Sequence, residues 1–517
     1  MTTLPLVAPP RAAHGPAEVS WGYFALVGTL VVLGVVINAA TGGNVLLAVL
    51  PALVIAGAWA LWRLPMRHTL LVLLLVALVV DNPSERPQQG RWQSLLYDPG
   101  TLLYLNLHVT TGVSALRFSL LEVLLAFLAA VAAARAVRGT TEDGPAGAAG
   151  ARPLGQALVT YSAALAVFAA WGLVRGGSGV QILWQVRQLG WLPVLVFLAM
   201  RAFRSRADVW RLSAAMILAA LIRGGVGIYY YFAICRPQGY TPDFVTTHGD
   251  SMLFGIAFII PLICLLERPG ASSVWLSLLV LPPVGLALVL NNRRLAFVSL
   301  LVALVALAFS LRRSVRLALA RALIVGAPLL LGYIVLGWNS ASAFFAPIAR
   351  IKSAADPGNT SNQTRDIENT NLIVTYLQNP LVGSGFGHEY IEGVRAFDIS
   401  TLFAQYRYIA HNSVLWLWSQ AGIVGFLLFW APFLVGVFLA TRTYRCAESG
   451  TQRVAAMTTL AALVCYFGQA YGDMGLQSWT GTLVLSAWLG VTGHLAVVTS
   501  AWPEGEGVLR WPTHAAG

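Results

Sequence analysis

The chain predicts an all-α polytopic integral membrane bundle of about 12–14 transmembrane helices carrying a long periplasmic helical loop. Three observations predict it. Of 517 residues, 57% are hydrophobic and only 10% charged, where a soluble domain carries about 25% charged residues. Mean hydropathy is +0.71. Apolar runs near the length that crosses a bilayer recur along the whole chain, and arginines fall between them in alternation. So little charge cannot coat so much apolar surface, which excludes a soluble enzyme, a nucleic-acid module and a disordered chain.

The runs lie near 21–38, 44–62, 69–80, 118–136, 155–174, 180–200, 210–232, 252–266, 273–290, 295–311, 318–337, 413–440, 453–471 and 479–499. Those at 69–80 and 252–266 are short for a span of ~20 residues. Residues 1–517 read as a single transmembrane domain. Residues 1–20 lack a short apolar core with a small-residue cleavage site, so no cleaved signal peptide is expected.

Net charge is +12, and Lys352 is the only lysine. With the N-terminus inside, the inner connections hold Arg63 and Arg67; Arg135, Arg138 and Arg152; Arg201, Arg204, Arg206 and Arg211; Arg268; Arg312, Arg313 and Arg316; Arg442 and Arg445. The positive-inside bias then puts both termini in the cytoplasm of a multi-pass inner-membrane protein. Thr141 to Ala151 reads as a Gly/Ala-rich cytoplasmic linker. The four cysteines, Cys235, Cys264, Cys446 and Cys465, show neither metal spacing nor an evident disulfide pair.

Two outer loops are long, about 81–117 and 339–411. The second is the largest polar segment and reads as an external lid. Within it Asn371 to Gln378 continues a helix, Asn379-Pro380 ends it, and Gly383-Ser384-Gly385-Phe386-Gly387 makes a glycine-rich turn.

Charge beside an apolar span is costly and tends to be paired or functional. Arg293 and Arg294 sit together at an outer boundary, against the positive-inside bias. Guanidinium forks match phosphate oxygens, so the pair reads either as a diphosphate clamp or as snorkelling arginines. Arg236 follows the seventh run, with Asp243, His248 and Asp250 beyond it. Arg187 and Arg223 fall inside spans, as substrate contacts or as interhelical pairs, with Glu122 a candidate partner. His411 opens the twelfth run, where an imidazole is able to take a proton near neutral pH. His108, His248 and His388 share that side more weakly. No phosphate-binding loop, G-x-S-x-G or H-E-x-x-H occurs.

Asn379-Pro380-Leu381-Val382-Gly383-Ser384-Gly385-Phe386-Gly387, then His411-Asn412-Ser413-Val414-Leu415, then Ala421-Gly422-Ile423-Val424-Gly425-Phe426 resemble the O-antigen ligase and Wzy-type polysaccharide polymerase superfamily. Arg294-Leu295-Ala296 is similar to the family's arginine at the outer start of an earlier helix, with Arg293 where many members have serine. Arg365 resembles the arginine that opens the loop helix, and Arg236 a further family arginine. The resemblance spans roughly 180–440 and implies about a dozen spans. It also implies transfer of a glycan from undecaprenyl diphosphate to a sugar hydroxyl on the periplasmic side, without metal or other cofactor. The acceptor is lipid A core in a ligase and a second lipid-linked glycan in a polymerase. On that reading His411 and Arg294 are catalytic, and Arg293, Arg236, Arg365, Arg187 and Asn412 contact the diphosphate or glycan. In-line attack on a good leaving group predicts inversion and no second carboxyl acid. Two other readings stand beside it. A lipid-linked oligosaccharide flippase would turn Arg187 and Arg223 into a central cavity. A metal-dependent glycosyltransferase would use Asp81 and Glu85.

Overall fold

The computed structural model describes residues 21–40, 45–83, 92–114, 116–138, 150–242, 244–268, 270–340, 342, 345–354, 358, 360–396, 398–401, 403 and 405–502. Glu85, Asp243, Asp356, residues 1–20 and 141–149 of the linker lie outside them. Among the described residues the regular structure is helical: α1 (Trp21–Ala40), α2 (Val45–Arg63), α3 (Met66–Val79), α4 (Tyr97–Tyr104), α5 (Leu107–Thr111), α6 (Leu120–Val137), α7 (Arg152–Val174), α8 (Gly179–Ala202), α9 (Arg206–Tyr229), α10 (Asp250–Glu267), α11 (Ala271–Asn291), α12 (Arg294–Ser310), α13 (Arg313–Gly337), α14 (Ala346–Ala354), α15 (Thr360–Gln378), α16 (Ser413–Cys446), α17 (Gly450–Gly472) and α18 (Trp479–Val498). Two compact units form, Met1–Leu64 and Pro65–Gly517. The first contains α1 packed on α2; everything below concerns the second.

Each expected apolar run is a helix. Among the described residues nine helices are long and apolar enough to cross a membrane, so the protein is a multi-pass membrane protein. They are α6, α7, α8, α9 with its extension to Gln238, α10, α11, α16, α17 and α18. Three of the expected spans fall outside the nine for a geometric reason. At 1.5 Å per residue, α3 and α12 extend about 21 and 25 Å, short of a ~30 Å hydrocarbon core, and α13 is bent by 54°.

Helix α18 is buried along nearly all its length and packs on α8, α16 and α17. Helix α12 reaches α17 because Gly468 and Gly472 face it. A Cβ on Gly468 would run into Ser299, and one on Gly472 would come 2.8 Å from Leu295. Small residues four apart let membrane helices approach closely, and here they bring the start of α12 to the end of α17.

Helix α16 is broken at Gly422, where φ is 59° and ψ −170°. The segment after α15 fills the break. Ile423 and Val424 donate their backbone N–H groups to the carbonyls of Pro380 and Leu381 at 2.9 and 3.1 Å. Ser384 and Gly385 donate theirs to Ser419 and Gln420 at 3.1 and 2.8 Å. Interrupted backbone inside a membrane protein persists only when its polar groups are satisfied, and this clip satisfies them. Gly383 and Gly422 both have left-handed φ, and a Cβ on either would strike the backbone of the opposite segment. The two glycine motifs are thus one interlocked joint tying α15 to α16.

Buried charges elsewhere are saturated. Arg223 binds Asp81 and, at 2.5 Å, Asp250. Arg187 Nε lies 3.3 Å from Glu122 and its guanidinium stacks on Trp184. At the other end of the bundle Glu267 accepts from Arg312 at 3.0 Å, from Arg453 at 2.7 Å and from Tyr444.

Candidate active site

Helix α12 begins at Arg294, with Arg293 at its N-cap position. The first turn of a helix presents unpaired N–H groups and a partial positive charge. Both arginines therefore stand where an anion is already favoured. They line a cavity with His248, Ser251, Gln469, Asp473, Leu295 and Ser299. The Arg293 guanidinium lies 3.7 Å above the Phe244 ring. The Arg294 guanidinium donates to the Ser353 carbonyl at 2.9 Å and to Asn362 Oδ1 at 3.0 Å. Asn362 belongs to α15, so the helix of the long loop braces the cavity.

The same α15 positions the histidine. Glu368 is nearly buried, and its carboxylate lies 3.2 Å from His411 Nδ1 while accepting the His411 backbone N–H at 3.0 Å. A carboxylate on Nδ1 fixes the tautomer that carries its proton there and leaves Nε2 as an acceptor. This is the base-and-orienter arrangement of hydrolytic triads. Burial disfavours the charged imidazole, but the Glu368 hydrogen bond and charge, aided by Asp473, outweigh it and raise the His411 pKa above the usual 6.5. Arg365, one turn before Glu368, opposes that rise through its own charge.

Asp473 joins the two halves. It ends α17, lines the arginine cavity and forms an ion pair with His248. Burial raises its pKa, but His248, Arg293 and His411 together hold it below the usual carboxylate range. The next residue, Met474, donates its backbone N–H to the His411 carbonyl at 2.8 Å. Arg294 and His411 therefore lie at one end of the bundle, linked twice, through α15 and through Asp473-Met474.

Residues 275–430 match the family model described as O-antigen ligase. That segment is therefore similar to an O-antigen ligase domain. It runs from α11 into α16 and contains Arg293, Arg294, Arg365, Glu368, His411 and Asn412. His248 and Asp473 lie outside the matched segment yet line the same cavity. No curated protein matches the chain.

The structure gathers Arg293, Arg294, Arg365 and His411 around this end of the matched segment. Arg236 is exposed beyond α9, over the Phe232 ring, and does not line the cavity. Arg187 is held by Glu122 away from it. Asn412 caps α16, accepting from Leu415 N at 3.1 Å, and donates to Asn369 at 3.0 Å. His388 contacts the Gly172 carbonyl at 3.2 Å in the clip. Sequence reasoning missed Glu368 as a partner of His411, because 43 residues separate them. Its one signal was the three-residue spacing from Arg365, which puts both on one face of a helix.

Proposed function

We propose that the protein is a membrane glycosyltransferase that moves a glycan from undecaprenyl diphosphate to a sugar hydroxyl. One observation carries the reading: two arginines at a helix N-terminus line a cavity whose wall continues, through Asp473-Met474, to a histidine held by a glutamate. The diphosphate lies against Arg294 and Arg293, with Arg365 adding charge from α15. His411 Nε2 accepts the proton of the acceptor hydroxyl as its oxygen bonds the anomeric carbon. The bond from that carbon to the phosphate oxygen breaks, and undecaprenyl diphosphate leaves with the electron pair. The guanidinium groups neutralise the charge that develops on it, which is strongest in a water-poor site. A single base suffices for so good a leaving group, no step calls for a metal, and direct displacement gives inversion.

Orientation follows from charge. Arg201, Arg204, Arg206, Arg268, Arg312, Arg442 and Arg445 flank the helix ends remote from His411. That distribution supports a cytoplasmic face there, both termini on that side, and a site facing the periplasm. The flippase reading loses its main support because Arg187 and Arg223 are paired to carboxylates. The metal-dependent reading loses Asp81 to Arg223.

The test supplies purified protein with a polyprenyl-diphosphate glycan and acceptor. His411→Ala and Arg294→Ala should abolish most transfer; near-normal rates in both would end the proposal. Lipid A core as acceptor indicates a ligase, and a second lipid-linked glycan a polymerase. A deletion strain separates them: uncapped core with polymer held on its carrier marks a ligase, single-repeat capping a polymerase.

A further inference from the structure

His248 is a group the transfer step above does not use. It sits on the segment between α9 and α10, and its side chain is 41% exposed, into the cavity that Arg293 and Arg294 line. Its segment is fixed independently of any ligand. Asn291 of α11 accepts from Thr246 N at 3.0 Å and donates to the Thr247 carbonyl at 3.3 Å. Asp250 accepts from Thr247 N at 3.0 Å while held by Arg223, and Gln469 donates to the His248 carbonyl at 3.2 Å. The ring itself is bound at Nδ1 by Asp473. Among the described residues no protein group bonds Nε2. A histidine whose backbone and one nitrogen are this tightly held presents its other nitrogen in a set direction.

We infer that His248 is a third ligand of the diphosphate, completing with Arg293 and Arg294 a three-cation cradle in which Asp473 is the positioning residue. This deepens the proposed transfer reaction and rests on it. With the diphosphate bound, the ring lies between two anions, an arrangement that favours the form donating Nδ1–H to Asp473 and Nε2–H to a phosphate oxygen. Three donors from two elements, the α9–α10 segment and the start of α12, then enclose an anion that two adjacent arginines would grip from one side only. Asp473 keeps the cradle from being a cluster of unbalanced cations while empty. It also places the donor beside, and distinct from, the base His411.

The probe is farnesyl diphosphate, titrated calorimetrically into the detergent-purified full chain. His248→Ala should weaken binding about tenfold, the usual cost of one charge-assisted hydrogen bond to phosphate. His248→Arg supplies a permanent cation able to pair with Asp473 and should restore most of the affinity. An unchanged thermal transition in His248→Ala shows that the loss is local. If His248→Ala binds normally while Arg294→Ala does not, or if His248→Arg is as weak as His248→Ala, the cradle is wrong and the arginine clamp stands. If the parent chain does not bind the probe, or Arg294→Ala binds it equally well, the arginine cavity itself is not a diphosphate site.

Discussion

Glu267 and Asp473 are both carboxylates at helix ends of one bundle, one at each end, and they differ in what surrounds them. Glu267 has no exposed side-chain surface and three donors, Arg312, Arg453 and Tyr444. Asp473 borders a cavity and shares its charge with His248, Arg293 and His411. The first arrangement consumes its charge internally and staples α10, α13, α16 and α17. The second leaves cations facing open space. Charge count does not distinguish a structural network from a binding site in a membrane protein; saturation and access do.

The sharpest way to break that contrast is at the His411 end. His411→Ala should lower transfer by about 10²–10⁴-fold, the range for a general base, without lowering the melting temperature in detergent. A loss of stability with residual activity per folded molecule would make His411 another structural group. Glu267→Gln should do the reverse. It leaves Arg453, only 14% exposed, without its anion. Breaking a buried pair costs about 3–5 kcal/mol, and the lower end applies here because Arg312 is 41% exposed and can rehydrate. Differential scanning fluorimetry should show the drop, with transfer per folded molecule preserved.

The helices were legible because bilayer-length apolar runs admit few other structures, so every run from 21–38 to 479–499 is helical. Arg293, Arg294 and His411 were legible because they break hydropathy at a boundary. Arg187 also sits amid apolar residues, and Glu122, 65 positions away and already a candidate partner for it or for Arg223, is the carboxylate that holds it. Arg236 resembles a further family arginine, yet it stands exposed beyond α9 and outside the cavity. The glycine motifs at Gly383 and Gly422 were recognisable as patterns, while their purpose needed three dimensions. Each makes sense only against the backbone of the other.

That joint extends the comparison to the polar groups of the backbone. Gly422→Ala forces a left-handed φ on a residue with a Cβ and pushes that Cβ into Leu381. A cost of about 1–3 kcal/mol is expected, read as a lower melting temperature. Because the clip fixes α15 against α16, transfer should fall as well, through the spacing of Glu368 and His411. Glu368→Gln probes the same spacing electrostatically. Burial lowers the His411 pKa, and the Glu368 hydrogen bond and charge reverse that. A base must be neutral to act, so the parent's rate should rise with pH through a midpoint above the ordinary imidazole value. Loss of the Glu368 charge should move that midpoint to lower pH and cut the plateau about tenfold, as the tautomer is no longer fixed. An unmoved limb in the pH–rate profile would separate Glu368 from the base.

Asn412 gives the smallest effect and the finest distinction. It adjoins His411, and the family resemblance assigns it to substrate, yet its amide oxygen caps α16 and its amide nitrogen bonds Asn369. Both ends of the side chain are engaged within the protein. Asn412→Ala should cost about 1 kcal/mol, the usual value of an N-cap. Asn412→Asp keeps the capping oxygen, and a half-turn of the Asn369 amide lets its Nδ2 donate to the second carboxylate oxygen, so this variant should recover most of the stability. If both variants keep the parent's KM for donor and acceptor, the residue belongs with Glu267 as a staple. If Asn412→Asp is stable but its KM rises severalfold, a negative charge beside the diphosphate is being felt, and the boundary of the site moves one residue into α16.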